Sequence, residues 1–287
     1  MQIIINEISM EKKFQDLTDF LTHLREILLI YKLEIEDLEI YKPTYLYDVV
    51  LFGEVKFWDV LRDKKFSRDD VVKRYKLFLD NMINKEPYWD LDRQHKESDM
   101  YICDFTAKTF DYGIAEACER DKVVLSVSCE EFLKCEIIHV TKNGSNTLDI
   151  VNICSREMLL EYMKMNDSIK PLSYCKLKFK GTNLCFDEID EEYGFESLEK
   201  GDIQTFLAAF DQFSQMSWQQ ILSSDGLKYK PYAPSNDKES CFKGTTYESM
   251  KIFKFRVTQK FRCFGYRKED VFYVIRFEVD HKISDKG

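Results

Sequence analysis

The stretch that decides the C-terminal fold is KFRVTQKFRCFGYRKEDVFYVIRFEVDHK, Lys254 to Lys282. Three segments in and around it, IFKFRVT, FRCFGY and VFYVIRFEV, alternate in polarity with a period of two, and RKED separates the last two as a short polar turn. Such alternation is typical of strands with one buried face. The pattern therefore predicts a three-stranded antiparallel meander, and its strands carry several cations.

The cations of this meander are the first candidates for chemistry. In the middle strand, Arg262 and Tyr266 share one face, and Arg256 and Arg276 from the neighbouring strands can converge with them if the registers allow it. Arginine matches phosphate oxygens with two parallel hydrogen bonds, and a histidine such as His281 transfers protons near neutral pH. Cations on strands also serve solubility and edge protection, so this second interpretation stays open.

At these residues the chain resembles the RelE and YoeB group of toxin ribonucleases. The family pattern R-[IV]-T-x-x-x-R matches Arg256 to Arg262, and a strand ending in Tyr266, a turn at 268–270 and His281 follow. The resemblance covers about a quarter of the chain and implies a small C-terminal domain with a helix and an antiparallel sheet. It also implies that Arg262 contacts the scissile phosphate and that His281 transfers a proton.

The remaining roles follow from the same resemblance. We expect Lys254 and Arg256 to complete the catalytic set with Arg262 and His281, and Lys251, Tyr266 and Arg276 to bind the substrate. The chain departs from the family by continuing past His281 with KISDKG. It also lacks a secure match to the family's upstream glutamate or paired lysines, which leaves the general base open.

Composition bounds the other expectations. The chain has 287 residues, 44% of them hydrophobic, which is ample for a folded core. It has no apolar run of membrane-spanning length and no signal-peptide pattern, so we expect a cytoplasmic protein that does not contact membranes. The nine cysteines contain no C-x-x-C pair, which disfavours disulfides and a zinc ribbon. No phosphate-binding glycine loop or dinucleotide fingerprint is present, and we expect no cofactor.

Charge is distributed unevenly along the chain. The net charge is −9, yet residues 218–287 contain 14 Lys and Arg against 9 Asp and Glu. Such asymmetry suggests different partners for different parts. The basic part is expected to meet RNA, free or as ribosome-bound mRNA, and the acidic part a protein partner.

The rest of the chain predicts an α+β protein with two domains. Apolar residues at helical spacing predict helices over 14–31, 71–82, 158–163 and 206–213, capped by Ser67, Ser155 and Asp202 where a cap is assigned. QIIINEI and VVLSV predict strands, and EIIHVTKNGSNTLDIVNI predicts a hairpin turning at Asn143-Gly144. The acidic stretch 187–202 is the candidate boundary, and a solvated loop or helix face within one domain is the alternative. We expect a larger mixed α/β domain over 1–200 and the basic domain over 201–287.

A second candidate site is EPYWDLDRQH, Glu86 to His95. Oxygen and imidazole ligands at this spacing suit Mg²⁺ or Mn²⁺, but the same side chains can pair with neighbours, and our expectation is that no metal binds. The residues of this secondary site are Trp89, Asp90, Asp92, Arg93 and His95.

The N-terminal half, through INEIS, EPYWDLDRQH and DYGIAEACERDKVVLSV, resembles a poorly characterised bacterial family associated with phage-defence gene clusters. Together the two resemblances imply a toxin-like, metal-independent endoribonuclease in phage defence or a toxin-antitoxin setting. The alternative is a non-catalytic module that binds nucleic acid or protein in a defence complex. On the enzymatic hypothesis, Arg262→Ala and His281→Ala fold normally and lose activity.

Overall fold

The computed structural model describes residues 1–33, 35, 37–103, 111–128, 130–190, 192–234 and 240–280. The chain divides into two compact units, Met1–Tyr162 and Met163–Gly287. The boundary therefore lies between Tyr162 and Met163 and not at residue 200. Residues 187–190 and 192–202, the candidate boundary in the sequence, lie within the second unit, where the Asp190 N–H donates to the Ile275 carbonyl group.

Helices and strands alternate along the chain, and the fold class is mixed α+β, as the sequence predicts. The strands are β1 Gln2–Asn6, β2 Glu39–Tyr41, β3 Val50–Phe52, β4 Val55–Lys56, β5 Tyr101–Cys103, β6 Val123–Ser126, β7 Ile137–Lys142, β8 Asn146–Ile153, β9 Leu184–Cys185, β10 Lys230–Pro231, β11 Ile252–Arg256, β12 Arg262–Lys268 and β13 Val271–Glu278. The α-helices are α1 Leu17–Tyr31, α2 Phe57–Arg62, α3 Lys64–Ser67, α4 Asp70–Asn84, α5 Gly113–Glu119, α6 Glu130–Leu133, α7 Arg156–Met165, α8 Pro171–Lys178, α9 Lys200–Ser214 and α10 Trp218–Ser223.

The first unit is built on a six-stranded sheet in the order β2-β1-β6-β8-β7-β5. The four strands from β2 to β8 are parallel, and β7 and β5 extend the sheet in antiparallel pairing. The chain leaves β1 towards β2 on one side, whereas β6 is followed by the hairpin of β7 and β8 on the other side. In α/β sheets the carboxyl ends of strands at such a reversal form the usual ligand crevice.

Several local features of the first unit confirm the sequence analysis. Helix α1 begins at Leu17, three residues after the predicted start, and buries Phe20, Leu24, Ile27 and Leu28 of the predicted stripe. Its first turn is capped by Asp16, whose carboxylate accepts from the Asp19 N–H at 2.9 Å. The β7–β8 hairpin turns at Asn143 and Gly144, both with positive φ. Helix α4 differs in one detail: its cap is Asp69 and not Ser67, because the Asp69 carboxylate accepts from the N–H groups of Val71 and Val72.

The second unit contains a five-stranded sheet in the order β10-β11-β12-β13-β9. The predicted meander of β11, β12 and β13 is confirmed, with antiparallel pairs throughout and a bulge at Phe264/Gly265. Gly265 is required at this bulge because a Cβ there would overlap the carbonyl oxygen of Tyr273. Helix α9 begins after Glu199, so Asp202 lies in its first turn and is not its cap.

One face of this second sheet is an aromatic core. Phe255 of β11 and Phe277 of β13 pack against Phe206, Phe210 and Phe213 of α9, with ring centroids 4.4 to 6.3 Å apart. Burying large rings supplies most of the stabilisation in such a core. The other face carries the cations together with a smaller buried apolar cluster of Ile252, Phe264 and Ile275, which packs with Tyr232 and Phe242.

Within the described residues, no helix is both long enough and apolar enough to cross a membrane.

Candidate functional site

The strand register places four cations on one face of the second sheet. Arg256 of β11 is opposite Arg262 of β12, and Lys254 of β11 is opposite Phe264. On the other side of β12, Phe264 is opposite Arg276 of β13. Lys254, Arg256, Arg262 and Arg276 therefore share a face, which we call the cationic face.

Arg262 is used to hold a turn of its own strand pair. Its guanidinium group donates to the backbone carbonyl groups of Thr258 and Phe261, each at 2.8 Å, and of Gln259 at 3.2 Å. The residue is only 8% exposed. The carbonyl groups of a tight turn require hydrogen-bond donors, and one planar guanidinium group supplies several of them at once. This geometry gives Arg262 a structural role in the β11–β12 turn.

We therefore expect Arg262→Ala to lower the free energy of unfolding by about 1–3 kcal/mol, because three buried or half-buried carbonyl groups lose a charged donor. Urea unfolding measures this change. Lys260→Ala is the matched control, since Lys260 is an exposed cation in the same turn. If Arg262→Ala is as stable as the control, the structural role is contradicted. The expectation from the sequence, that this variant folds normally and loses only activity, would then stand.

Lys254 is also largely buried, at 3% exposure, and its ammonium group lies 5.5 Å from the ring centre of Tyr232. Glu278 lies on the same face, opposite Arg262, and is 3% exposed. A buried carboxylate among buried cations lowers the cost of burying each of them. The Glu278 carboxylate therefore offsets part of the positive charge on this face.

Arg256 and Arg276 are the two cations with unused hydrogen-bonding capacity. The Nε of each is buried and has no hydrogen-bond partner among the described residues. The guanidinium of Arg276 stacks on Tyr193, with 3.8 Å between its central carbon and the ring centre, and lies 6.0 Å from the ring centre of Phe242. A buried donor without a partner is costly, which points to an anion or an ordered water as its natural complement.

The other predicted substrate-binding residues have different environments. Tyr266 donates its hydroxyl to Glu188 at 2.7 Å and stacks on Tyr273. Burial and the nearby Glu188 carboxylate raise the pKa of this phenol. Lys251 is exposed and lines a cleft of about 410 Å³ together with Tyr232, Phe242, Lys243, Tyr247 and Glu248. His281 lies outside the described residues.

In the second candidate segment, Glu86 to His95, each of the predicted polar side chains has a partner within the first unit. Asp90 accepts from the backbone N–H and the hydroxyl of Thr44. Asp92 lies 3.4 Å from Arg120. The remaining three residues are engaged too: Arg93 pairs with Glu97 and Asp111, Trp89 is fully buried, and His95 contacts Glu116. Within the described part of the chain, no group of three or more His, Cys, Asp and Glu is placed to hold a metal ion.

A buried charge network that sequence reasoning missed joins His95 to helix α5. Glu116 is fully buried, and its carboxylate lies 2.6 Å from Nδ1 of His95 and 2.5 Å from Nε of Arg120. It also accepts from the backbone N–H groups of Gln94 and His95. Burial by itself raises the pKa of Glu116, but these hydrogen bonds outweigh it and the net pKa is lowered.

A second buried carboxylate, Glu7, lies just after β1 at the carboxyl edge of the parallel strands. Both of its oxygens accept from the Gly113 N–H, and one accepts from the Tyr45 hydroxyl at 3.1 Å. Burial raises the pKa of Glu7 to about 7 in spite of these bonds. A Cβ at Gly113 would overlap the carbonyl oxygen of Ile5, so only glycine lets α5 approach β1 this closely.

The two buried carboxylates lie in segments that the sequence analysis singled out, but no pattern there marks them as site residues. Glu7 lies in INEIS and Glu116 in DYGIAEACERDKVVLSV, the segments that carry the N-terminal resemblance. Neither residue stands in a catalytic spacing, and pairing across 21 residues for His95 and Glu116 becomes visible only in three dimensions.

No protein-family model matches the chain, and no curated protein or solved structure matches it significantly either.

Proposed function

We propose that the C-terminal unit binds RNA through the cationic face. The observation that supports this best is the pair of guanidinium groups of Arg256 and Arg276, whose buried Nε atoms have no partner among the described residues. A guanidinium presents a planar fork that fits two phosphate oxygens, and stacking on Tyr193 holds the Arg276 fork in place.

The attraction for RNA is local to this face. With the boundary at Met163, the second unit contains 20 Lys and Arg against 19 Asp and Glu, so its overall charge is nearly balanced. The acidic segment 187–202 packs on the same sheet: the Asp190 N–H donates to Ile275, and the Phe277 N–H donates to Tyr193. Binding then depends on a few placed cations and only weakly on net charge.

The enzymatic form of this proposal is a toxin-like, metal-independent endoribonuclease in bacterial phage defence. The 2′-hydroxyl of a bound RNA would lose its proton to water and attack the adjacent phosphate, forming a 2′,3′-cyclic phosphate. The bond between phosphorus and the 5′-oxygen breaks, and the departing 5′-oxygen takes up a proton. Arg256 and Arg276 would stabilise the negative charge that develops, and His281 is the candidate proton donor. The binding-module alternative needs the arginines alone.

RNA binding by the full chain is expected to fall roughly 10-fold for Arg256→Gln and for Arg276→Gln, since each removes a charge-assisted hydrogen bond to phosphate. Titration of a labelled oligoribonucleotide at several salt concentrations measures both affinity and its salt dependence. The slope against log salt should decrease by roughly 0.7 for each phosphate that the variant no longer neutralises.

Arg267→Gln is the matched control because Arg267 lies in β12, the strand between the two tested arginines, carries the same charge and stacks on Trp218 away from the cationic face. Equal losses for all three variants would indicate a diffuse charge effect and overturn the assignment to this face.

Cleavage distinguishes the two forms of the proposal. For the ribonuclease, His281→Ala should reduce RNA cleavage on the order of 100-fold or more while leaving RNA affinity intact, and cleavage should persist in EDTA. Mass analysis of the product ends identifies the cyclic phosphate. Binding without any cleavage by the wild-type protein would select the non-catalytic module.

A further inference from the structure

An exposed aromatic pair lies on the first unit, remote in sequence from the cationic face. Trp58 of α2 is 37% exposed and Tyr47 is 40% exposed, with their ring centroids 6.2 Å apart. Water-exposed indole and phenol rings side by side cost free energy unless something covers them. The pair is therefore a candidate contact surface.

The fold turns Trp58 outwards and restrains it. Helix α2 buries Phe57, Val60 and Leu61 on its inner side, which leaves Trp58 and Arg62 on its outer side. The guanidinium of Arg62 stacks on the indole at 4.5 Å from the ring centre. A cation on one side of the ring holds the side chain in one orientation while a large part of the ring remains open.

The segment that contains Trp58 carries more cations than carboxylates, and Asp48, Glu54, Asp69 and Asp70 flank it in the sequence. Residues 56–68 contain five cations and two carboxylates: Lys56, Arg62, Lys64, Lys65 and Arg68 against Asp59 and Asp63. Both carboxylates accept backbone N–H groups at helix starts, from Lys56 and Lys65.

Four of these cations are available for a ligand. Lys56 pairs with Asp48 at 2.8 Å. The other four form no ion pair with any described residue and are exposed, namely Arg62, Lys64, Lys65 and Arg68.

We propose that this surface binds single-stranded nucleic acid, with unpaired bases stacking on Trp58 and Tyr47 and phosphates contacting Arg62, Lys64, Lys65 and Arg68. Stacking platforms interleaved with cations are the general means of holding a single strand, because every base has a flat face and every linkage a charge. Duplex bases are already stacked on one another and cannot use the rings. An acidic protein would use the cations but gain little from an open indole ring.

Trp58 reports on its own occupancy through fluorescence. Of the three tryptophans, Trp89 is fully buried and Trp218 is removed by Trp218→Phe, so the full chain carrying that substitution has one accessible indole. Titration with a short oligouridylate should quench it. The Trp218→Phe chain should bind the oligonucleotide roughly 10-fold more tightly than the same chain with Trp58→Ala, and Trp58→Phe should retain most of the affinity.

Leu77→Ala is the matched control, because Leu77 is a 76% exposed apolar residue of the same unit. Adding Arg256→Gln and Arg276→Gln should leave the quenching in place, so failure of the cationic face and failure of this surface give different results. The proposal is overturned if the oligonucleotide does not quench Trp58 or if a duplex quenches it equally. It is also overturned if polyglutamate displaces the oligonucleotide equally well with and without Trp58→Ala, a result that would favour an acidic protein partner.

Discussion

Replacing Glu116 by alanine should lower the free energy of unfolding of the first unit by about 3–5 kcal/mol. The Glu116 carboxylate balances the guanidinium of Arg120, whose side chain is 6% exposed, and it contacts the fully buried His95. Removing the carboxylate leaves the guanidinium of Arg120 with only the exposed Asp92 carboxylate, 3.4 Å away, as an ion-pair partner among the described residues, and the backbone N–H groups of Gln94 and His95 lose their acceptor. Breaking such a network costs more than removing a surface ion pair.

Urea unfolding at pH 7 measures this effect. Glu97→Ala is the control, since Glu97 also pairs with an arginine but its side chain is 81% exposed, and its loss should cost less than about 1 kcal/mol. Glu116→Gln should fall between the two because an amide keeps one acceptor. A Glu116→Ala protein that unfolds like the control would show that the network contributes no net stability.

Glu7→Gln should stabilise the protein at pH 8 by up to about 3 kcal/mol and leave its stability nearly unchanged near pH 4.5. The pKa of Glu7 rises from 4.5 to about 7 on folding, so the folded state holds this proton more tightly than the unfolded chain. The contribution of Glu7 to stability is therefore fully present below pH 4.5 and is lost as the pH rises through 7. Glutamine mimics the neutral acid and never ionises.

The measurement is the free energy of unfolding of both proteins between pH 5 and pH 8, where the difference should widen with pH. Glu11→Gln is the matched control, because it makes the same substitution at an exposed residue of the same segment. If Glu7→Gln is instead the less stable protein at pH 8, the ionised carboxylate is stabilised by Gly113 and Tyr45 more than burial penalises it.

Local patterns predicted much of the secondary structure. The stripe of α1, the turn at Asn143-Gly144 and the three strands of the C-terminal meander depend on periodicity and on residues that favour a positive φ, which act over a few positions. The caps were harder to predict, since Asp69 and Ser67 are both acceptable cap residues and only the helix start decides between them.

The predicted domain boundary at residue 200 differs from the observed one for a related reason. The stretch 187–202 has the composition of a linker, but the backbone of Asp190 and Tyr193 is hydrogen-bonded to β13 and the Glu188 carboxylate accepts from Tyr266. The composition of a segment indicates how it interacts with water. It does not indicate whether a strand such as β13 lies close enough to form backbone hydrogen bonds with it.

By itself, the sequence determined the α+β class, the C-terminal meander and the common face of Arg262 and Tyr266 within one strand, because alternation along a strand is a local property. The register between strands, which is set by tertiary structure, decided that Lys254, Arg256 and Arg276 share that face. Tertiary structure decided what each cation does. Arg262 donates to the carbonyl groups of a turn, and Lys254 is buried. Arg276 stacks on the ring of Tyr193, and its buried Nε has no hydrogen-bond partner among the described residues. The pairing of His95 with Glu116 was likewise decided by the approach of α5 to a distant loop. A side chain's role depends on its desolvation and its partners, and both are set by segments far away along the chain.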